Sequence, residues 1–333
     1  MTLLWQDGFD LYNVVGDLNL AYYSYGPGSF STTGGRFGGG GWSSTGYGIT
    51  RAIPANAEIW SSFAMETSAF GTGANIVAGF SSAGGIEGLV TYQPASGTWT
   101  LWRGGENTSL GSATYMLPSG TWHWIDIHFK MHATAGVFEL WIDETQVLNL
   151  TAQDTIQNSG QTTLAAAYLG DGVGGGGLVM TVDDWFIYTP GSRYGDSRIE
   201  TLVPTSDATP NNGTPSTGTT HYNLVNEAGF NTTNYVTMPN TSGDKEVYGH
   251  GALVNTPPTV HAVAVKLVSQ KSDAGAYSLE PLVVSSSTEG DGSAQALTTS
   301  WGIQTAIFEQ DPHTSAAWAY SAVNSASIGY RVP

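Results

Sequence analysis

Three tryptophans, Trp102, Trp124 and Trp141, occupy positions at which a carbohydrate could be bound. Each lies on the less apolar side of a stretch in which apolar and polar residues alternate, and such alternation indicates a β-strand with one buried and one accessible face. A flat indole ring, with an apolar face and a polar N–H, can stack on a sugar ring. The same rings could instead pack against a second sheet, another domain or another subunit, and the sequence leaves both interpretations open.

Paired carboxylates would be needed to hydrolyse a glycosidic bond, and their spacing here argues against that reaction. A retaining glycosidase holds its two carboxyl groups about 5 Å apart. Glu139 and Asp143 share one predicted face but lie four residues apart, roughly 13 Å along a strand. Asp183 and Asp184 are adjacent and therefore point to opposite faces. No Gly-x-Ser-x-Gly motif supplies a nucleophile. We expect a protein that is not an enzyme.

Calcium is the metal for which the sequence offers ligands. Asp171 beside a run of glycines, or Asp7 with Asp10, could supply carboxylate oxygens. The alternative is that these acids stabilise turns. His128 and His132 have the spacing of a helical zinc site, but they fall on a predicted strand without the Glu of that motif, so we expect solvent-facing histidines. With no cysteine, the chain has no disulfide and no thiolate site, and we predict no other cofactor.

A predicted β-hairpin at residues 121–143 is the element around which the chain is organised. Residues 124–131 and 138–142 both alternate with a period of two, and small or turn-forming residues at 133–136 separate them. The side chains that this pattern predicts to be buried are Ile125, Ile127, Phe129, Leu140 and Ile142. Similar short runs, separated by Gly- and Pro-containing turns, recur along the chain. The pattern favours an all-β, antiparallel sandwich over a parallel sheet.

Turn-rich stretches divide the chain into two predicted domains. Thr189-Pro190-Gly191-Ser192 ends a first domain over residues 1–190, and residues 191–204 are a predicted linker. A second, smaller β domain takes residues 205–333. Within it we predict a long Thr-, Ser-, Pro- and Asn-rich loop at 205–220 and strands at 221–225 and 322–332.

Composition excludes several classes of function. Aromatic residues make up 11% of the 333 residues and charged residues also 11%, which is the opposite of the composition of a disordered chain. A net charge of −17 repels phosphate backbones and anionic lipids, so we expect no nucleic-acid partner and no membrane partner. The first residues lack the basic and apolar regions of a signal peptide, so we expect synthesis and folding in a cytoplasm.

Several short motifs carry a family resemblance. Asp-Gly-Phe-Asp at 7–10, the Gly-x-Trp that precedes the hairpin and the closing run at 182–187 resemble a laminin-G or concanavalin-like jelly roll. Gly195 to Pro204, which matches Gly-Asp-Ser-Arg-x-Glu-x-Leu-x-Pro, and Asp-Pro-x-Thr-x-x-x-Trp at 311–318 resemble segments of tailed-bacteriophage virion proteins that begin with such a domain. The order of these motifs spans nearly the whole chain.

The resemblance implies a non-enzymatic structural component of a tailed-phage virion, such as a tail, fibre, spike or capsid decoration protein, made in the host bacterial cytoplasm. The alternative is a carbohydrate-binding adhesin that recognises a host surface glycan. The implied partners are other virion proteins. Polar strand edges that need covering favour a homo-oligomer, and a trimer is the order suggested by phage appendages.

Overall fold

The chain folds into two compact units, Met1–Ile199 and Glu200–Pro333. The computed structural model describes residues 1–24, 28–45, 48–69, 73–170 and 179–333. Both units consist mainly of antiparallel strands, so the predicted fold class, an all-β chain with an antiparallel jelly-roll sandwich followed by a smaller β unit, is confirmed. Among the described residues, no helix is long and apolar enough to cross a membrane.

The first unit contains fifteen strands and one short 3₁₀ helix, Val15–Leu20, in its described residues. The strands are β1 (Leu3–Asp7), β2 (Tyr23–Ser24), β3 (Ser29–Ser31), β4 (Gly41–Thr45), β5 (Gly48–Asn56), β6 (Glu58–Ala69), β7 (Asn75–Ser82), β8 (Gly85–Gln93), β9 (Thr98–Arg103), β10 (Thr108–Thr114), β11 (Trp122–Lys130), β12 (Gly136–Ile142), β13 (Thr145–Gln153), β14 (Leu164–Gly170) and β15 (Val179–Tyr188).

These strands form two sheets that pack face to face. As far as the chain is described, the eight-stranded sheet has the order β13-β12-β11-β6-β15-β4-β3, with β1 also paired to β15. The seven-stranded sheet has the order β10-β9-β8-β7-β14-β5-β2. Phe80 of the seven-stranded sheet stacks on Phe129 of the eight-stranded sheet, with ring centroids 4.9 Å apart, and meets Phe138 edge-on. Such interdigitation of two apolar inner faces is the core of a β-sandwich.

The predicted hairpin is β11 and β12, and its side chains occupy the predicted faces. Ile125 pairs with Ile142, Ile127 with Leu140, and Phe129 with Phe138. The five side chains predicted to be buried all have 0% exposure. Because the side chains of a strand alternate between its faces, a shift of one residue would have exposed all five. The alternating pattern therefore predicted both the strands and the direction of their side chains.

Residues 193–199, which we call the closing segment, are part of the first unit. The backbone N–H of Asp196 donates to Glu144 Oε1 over 2.9 Å, and that of Ile199 donates to Asp184 Oδ1 over 2.6 Å. The closing segment falls within the predicted linker at 191–204, whose turn-rich composition suggested a free connection. That composition gives no sign that Glu144 and Asp184, which are distant in sequence, accept hydrogen bonds from its backbone.

The second unit contains ten strands, one 3₁₀ helix and one α-helix. The strands are β16 (Pro204–Asn211), β17 (Thr214–Pro215), β18 (Val236–Thr237), β19 (Lys245–His250), β20 (Val263–Ser269), β21 (Ser278–Ser285), β22 (Thr288–Asp291), β23 (Gln295–Ala296), β24 (Gly302–Phe308) and β25 (Ser327–Arg331). Its main sheet has the order β16-β19-β25-β21-β22, while β17 pairs with β18 and β20 with β24. The buried apolar cluster of this unit includes Val265, Val283 and Trp318.

Two predictions for the second unit were wrong, and a third was confirmed only in part. The predicted loop at 205–220 contains β16, a strand at the sheet edge, where prolines are tolerated because one side of the strand needs no partner. The predicted strand at 221–225 is a 3₁₀ helix, since Asp207 accepts the backbone N–H groups that begin it. The predicted strand at 322–332 is present as β25 over Ser327–Arg331, but the α-helix Tyr320–Ser325 occupies its start.

Candidate functional site

The structure places the three predicted site tryptophans on two different sheets. Trp124 and Trp141 belong to β11 and β12 of the eight-stranded sheet, whereas Trp102 belongs to β9 of the seven-stranded sheet. All three alternate with fully buried neighbours, Ile125, Leu140 and Leu101, so they point away from the space between the sheets. The outward faces of a sandwich lie on opposite sides, so the three rings do not form one site.

Trp124 is closed off from solvent, which contradicts the prediction of an accessible ring. Only 1% of its surface is exposed. The Phe186 ring lies 6.0 Å from it, and the Arg36 guanidinium lies 5.8 Å from its ring centroid. Arg36 is held in place because its backbone N–H donates to Asp183 Oδ2 and its side chain pairs with Asp196. The ring is therefore part of the packing.

Trp141 is partly exposed but already has a partner. The guanidinium of Arg193 lies 4.6 Å from its ring centroid, in a cation–π contact. Arg193 also pairs with the fully buried Asp126 and with Glu144. The hydrogen bond from Arg193 lowers the pKa of Glu144. Burial raises the pKa of Asp126 even though Arg193 pairs with it.

Further aromatic stacking fills the rest of this outward face. Trp60 stacks on His128 at 4.4 Å and lies parallel to Tyr188 at 6.2 Å. Tyr194 of the closing segment stacks on Tyr188 at 4.1 Å. Trp124 is therefore part of the packing of this face, whereas Trp141 stays partly exposed beside Arg193.

Trp102 belongs to a row of side chains that crosses the seven-stranded sheet on its outward face. Tyr168 of β14 pairs with Gly79 of β7, Gly79 pairs with Leu89 of β8, and Leu89 pairs with Trp102 of β9. We call these four residues the aromatic row. Three strand spacings separate its two aromatic ends, a distance of about 14 Å between their Cα atoms.

Both rings of the aromatic row lie down on the sheet. A Cβ at Gly79 would be 2.1 Å from Cζ of Tyr168, so the tyrosine ring rests directly on the glycine backbone. Trp102 leans over β8, because its Nε1–H donates to Thr91 Oγ1 over 2.8 Å. Leu89 between them is 1% exposed and Tyr168 is 9% exposed, whereas Trp102 is half-buried. Leu89 and Tyr168 therefore form a buried support, and Trp102 is the accessible aromatic side chain of the row.

Neutral hydrogen-bonding side chains surround the aromatic row. They come from positions that are paired with its members, or two or four residues from them, and share its face: Thr50, Thr91, Gln93, Thr98, Thr100 and Ser109. Hydroxyl and amide groups can both donate and accept hydrogen bonds. A partly exposed indole ring with such groups around it matches the two surfaces of a sugar, its C–H face and its hydroxyl edge.

Sequence analysis singled out Trp102 but missed Tyr168, Gly79 and Leu89. Tyr168 lies in β14, whose pairing with β7 brings together residues almost ninety positions apart. No local sequence pattern indicates that two strands so far apart in the chain are paired. The available signal was weaker: a glycine within an apolar strand suggests a close approach by another group, which at Gly79 is the tyrosine ring.

The adjacent acids Asp183 and Asp184 are buried, with 5% and 1% exposure. Burial raises the pKa of Asp183 to about 7. Burial, and then repulsion by Asp183, raises the pKa of Asp184 well above its ordinary value. Asp184 Oδ1 accepts the N–H of Ile199, whereas its Oδ2 is buried without a hydrogen-bond partner. The pair can hold a proton near neutral pH, but it is shielded from solvent and from any ligand there.

The acids proposed as calcium ligands stabilise turns where the structure describes them. Asp7 accepts hydrogen bonds from the hydroxyl groups of Tyr12 and Tyr22, at 2.6 and 2.5 Å, and from the N–H of Phe9. Asp10 accepts the N–H of Gly40 over 2.7 Å. The third candidate, Asp171, lies outside the described residues. In the part of the chain that is described, no group of three or more His, Asp or Glu side chains is arranged to hold a metal ion.

The two histidines with zinc-like spacing have separate roles. His128 is mostly buried, because it stacks on Trp60 and pairs with Glu58 at 3.0 Å, so the prediction of a solvent-facing side chain was wrong for it. His132 is exposed, and its Nδ1 accepts two backbone N–H groups of the hairpin loop. Sequence analysis missed a third histidine, His123, which is buried and pairs with Asp143 at 2.5 Å.

The motif residues that resemble phage virion proteins have structural roles in both units. Asp196 makes a two-pronged pair with Arg36, at 2.6 and 2.7 Å. In the second unit, Trp318 is buried and donates from Nε1 to the carbonyl of Phe308 over 2.8 Å. Asp311 accepts the N–H of His313, which closes a turn. The motifs therefore specify parts of the fold.

Comparisons with known proteins give solved structures of low similarity. The alginate lyase Aly36B is 12% identical, with a TM-score of 0.38, and the match covers 59% of this chain and 98% of the lyase. The carbohydrate-binding module CBM66 from Bacillus subtilis is 9% identical, with a TM-score of 0.35 and coverage of 51% and 96%. A Trypanosoma rangeli sialidase is 10% identical, with a TM-score of 0.40 and coverage of 56% and 30%. No protein-family model and no curated protein matches the sequence.

Proposed function

We propose that this protein binds a carbohydrate on the outward face of the seven-stranded sheet, at the aromatic row. The observation that carries the proposal is the half-buried Trp102 ring, which its hydrogen bond to Thr91 holds over β8 and which the buried side chains of Leu89 and Tyr168 support. Aromatic faces flanked by hydroxyl and amide groups are suited to sugar rings. On the opposite outward face, Arg36 lies over Trp124, Arg193 over Trp141, and Tyr194 of the closing segment over Tyr188.

We propose further that the protein binds its ligand without cleaving it. Glycoside hydrolysis needs two carboxyl groups beside the scissile bond. The acid nearest to the aromatic row along β8 is Glu87, which is fully buried. Its two carboxylate oxygens accept hydrogen bonds from Ser82, Gln157 and Asn158, so it is occupied as a structural group. The other positions on the face of the row carry Thr, Ser, Gln, Ala and apolar residues.

Binding to a panel of polysaccharides tests the proposal. The wild type and Trp102→Ala are compared by isothermal titration calorimetry, after thermal unfolding has shown that both are folded. We expect Trp102→Ala to weaken binding at least about tenfold, because it removes a central aromatic contact. The matched control is Trp141→Ala, the same substitution on the opposite face, which should leave the affinity unchanged. Equal loss in both variants, or loss in the control alone, would contradict the proposal.

A second variant separates ring contact from ring orientation. Thr91→Val keeps the Trp102 ring but removes the hydroxyl that accepts its Nε1–H. We expect an affinity between those of the wild type and Trp102→Ala, because the ring remains but is no longer fixed over β8. An affinity in Thr91→Val as low as in Trp102→Ala, with normal folding, would assign the effect to the hydroxyl group instead.

The predicted place of the protein, a tailed-phage virion with other virion proteins as partners, stays a prediction and is compatible with glycan binding. Mass spectrometry of purified particles tests it, and absence of the protein from the particles would contradict it. The predicted homo-oligomer, with a trimer as the suggested order, also stays a prediction. Light scattering on the full-length protein tests it, and a stable monomer at micromolar concentration would argue against it.

A further inference from the structure

We infer that the ligand of the aromatic row is an uncharged glycan, and not a carboxylated, sulfated or phosphorylated one. This inference rests on the proposed function and narrows it to a substrate class. Its basis is the position of every cationic side chain of the first unit relative to the row.

The first unit contains six of the ten Lys and Arg residues of the chain, and all six are described. Four of them lie outside the strands of the seven-stranded sheet. Arg36 pairs with Asp196, Lys130 with Glu58, and Arg193 with Asp126, while Arg198 lies over the Phe37 ring. None of these four belongs to a strand of the sheet that carries the aromatic row.

The other two cations lie in the seven-stranded sheet but face away from the row. Thr50 is the Cα partner of Tyr168, and Arg51 is the next residue of the strand. The Arg51 guanidinium stacks on the Trp5 ring at 3.6 Å. Arg103 follows Trp102 and pairs with Asp154. Because adjacent residues of a strand point to opposite faces, neither guanidinium shares the face of the row. All three histidines of the first unit belong to β11 or its loop, in the other sheet.

An anionic sugar on this face would therefore meet no Lys or Arg side chain among the described residues of the first unit. Moving a carboxylate out of water without a compensating cation or strong hydrogen-bond donors carries a large free-energy penalty. The net charge of −17 adds a long-range repulsion to that penalty. The hydroxyl groups of a neutral sugar meet no such penalty, since threonine, serine and glutamine side chains can hydrogen-bond them.

Matched polymers that differ mainly in charge test the inference. The pairs are hydroxyethyl cellulose with carboxymethyl cellulose, mannan with alginate, and methyl-esterified with de-esterified pectin, with laminarin, xylan and levan as further neutral probes. Binding of the full-length protein is measured by calorimetry with EDTA present, so that no divalent cation bridges two carboxylates. We expect binding to at least one neutral polymer, little change between low and high salt, and no binding to its anionic counterpart.

A variant that adds a positive charge to this face tests the inference in the opposite direction, by a gain of binding. Thr100→Lys adds a cation to the face of the aromatic row, two residues from Trp102. It should raise the affinity for the anionic member of a pair at least about tenfold, with an affinity that falls as salt rises. The matched control is Thr145→Lys, on the exposed edge strand of the other sheet, which should not raise this affinity.

The outcomes separate this inference from the proposed function. Binding of an anionic polymer by the wild type, lost in Trp102→Ala, would overturn the inference and leave the proposed function intact. Binding of any polymer that Trp102→Ala does not weaken would overturn the proposed site, and the inference with it. Failure to bind every polymer in the panel would likewise overturn both.

Discussion

Gly79 is the residue on which the geometry of the aromatic row most depends. Its missing side chain leaves the space that the Tyr168 ring occupies, with Cζ only 2.1 Å from where a Cβ would be. Tyr168 therefore has to move if any other residue takes this position. The consequence can be measured separately for stability and for ligand binding.

We predict that Gly79→Ala lowers the free energy of unfolding by ~1–3 kcal/mol, because a side chain is inserted into a filled site. It should also weaken glycan binding, since the displaced ring no longer lies on the sheet. Chemical denaturation and calorimetry measure the two effects. Gly105→Ala is the control, because its nearest neighbouring atom is 3.8 Å from the added Cβ. A stable Gly79→Ala protein with unchanged binding would contradict this account of the row.

The buried pair Asp183 and Asp184 makes the stability of the protein depend on pH. Both pKa values are raised in the folded protein, that of Asp183 from 3.8 to about 7. A raised carboxyl pKa means that the folded state binds protons more tightly than the unfolded state. The stabilisation is therefore complete below about pH 4 and is lost as pH rises through about 7.

We predict that Asp184→Asn reduces this loss of stability between pH 5 and pH 8. At pH 8 the variant should have a higher free energy of unfolding than the wild type, by ~1 kcal/mol or more, because one buried charge is gone. Denaturation curves at both pH values measure it. Glu106→Gln, at an exposed acid of the same unit, should follow the wild type. If the stability of Asp184→Asn falls between pH 5 and pH 8 as steeply as that of the wild type, this buried pair is not the cause of the pH dependence.

At the scale of elements, the closing segment covers the outward face of the eight-stranded sheet through Arg193. This side chain neutralises Asp126, which is fully buried, and it covers the Trp141 ring. Removing one partner of a buried ion pair leaves an uncompensated charge in a place that water does not reach. The main cost of removing Arg193 is therefore the unpaired charge left on Asp126, and the lost attraction between the two groups is the smaller part.

We predict that Arg193→Ala lowers the free energy of unfolding by ~3–5 kcal/mol. The control is Arg103→Ala, which breaks an ion pair whose acid, Asp154, is 48% exposed, and which should cost less than ~1 kcal/mol. Urea denaturation compares the two variants. A cost for Arg193→Ala no greater than that for Arg103→Ala would mean that the closing segment does not stabilise this face.

The hairpin and the site differ in how far the sequence predicts them. β11 and β12 follow from an alternation that is complete within twenty residues, so their register and their buried side chains could be predicted. Trp124 shows the same local pattern as an accessible residue, but it is buried by Arg36, which is distant in sequence. The row of Tyr168 and Trp102 depends on the strand order β14-β7-β8-β9, which the local pattern does not contain.

At the scale of the whole molecule, the division into units can be tested by truncation. We predict that a fragment of residues 1–199 folds with a cooperative thermal transition, because it retains the closing segment. A fragment of residues 1–190 should be less stable or insoluble, since Asp126 and Asp184 lose their partners in that segment. Circular dichroism compares the fragments. Equal stability would place the end of the first unit at the predicted boundary of residue 190.

The central claim, that a glycan lies across the seven-stranded sheet at the aromatic row, can be tested most directly by nuclear magnetic resonance. The indole N–H signals of the full-length protein are recorded while a neutral oligosaccharide that binds is added, and Trp102→Phe and Trp141→Phe identify two of them by their loss. The account predicts that the Trp102 signal shifts in a saturable way while the Trp141 signal stays in place. Movement of the Trp141 signal with an unchanged Trp102 signal would contradict it.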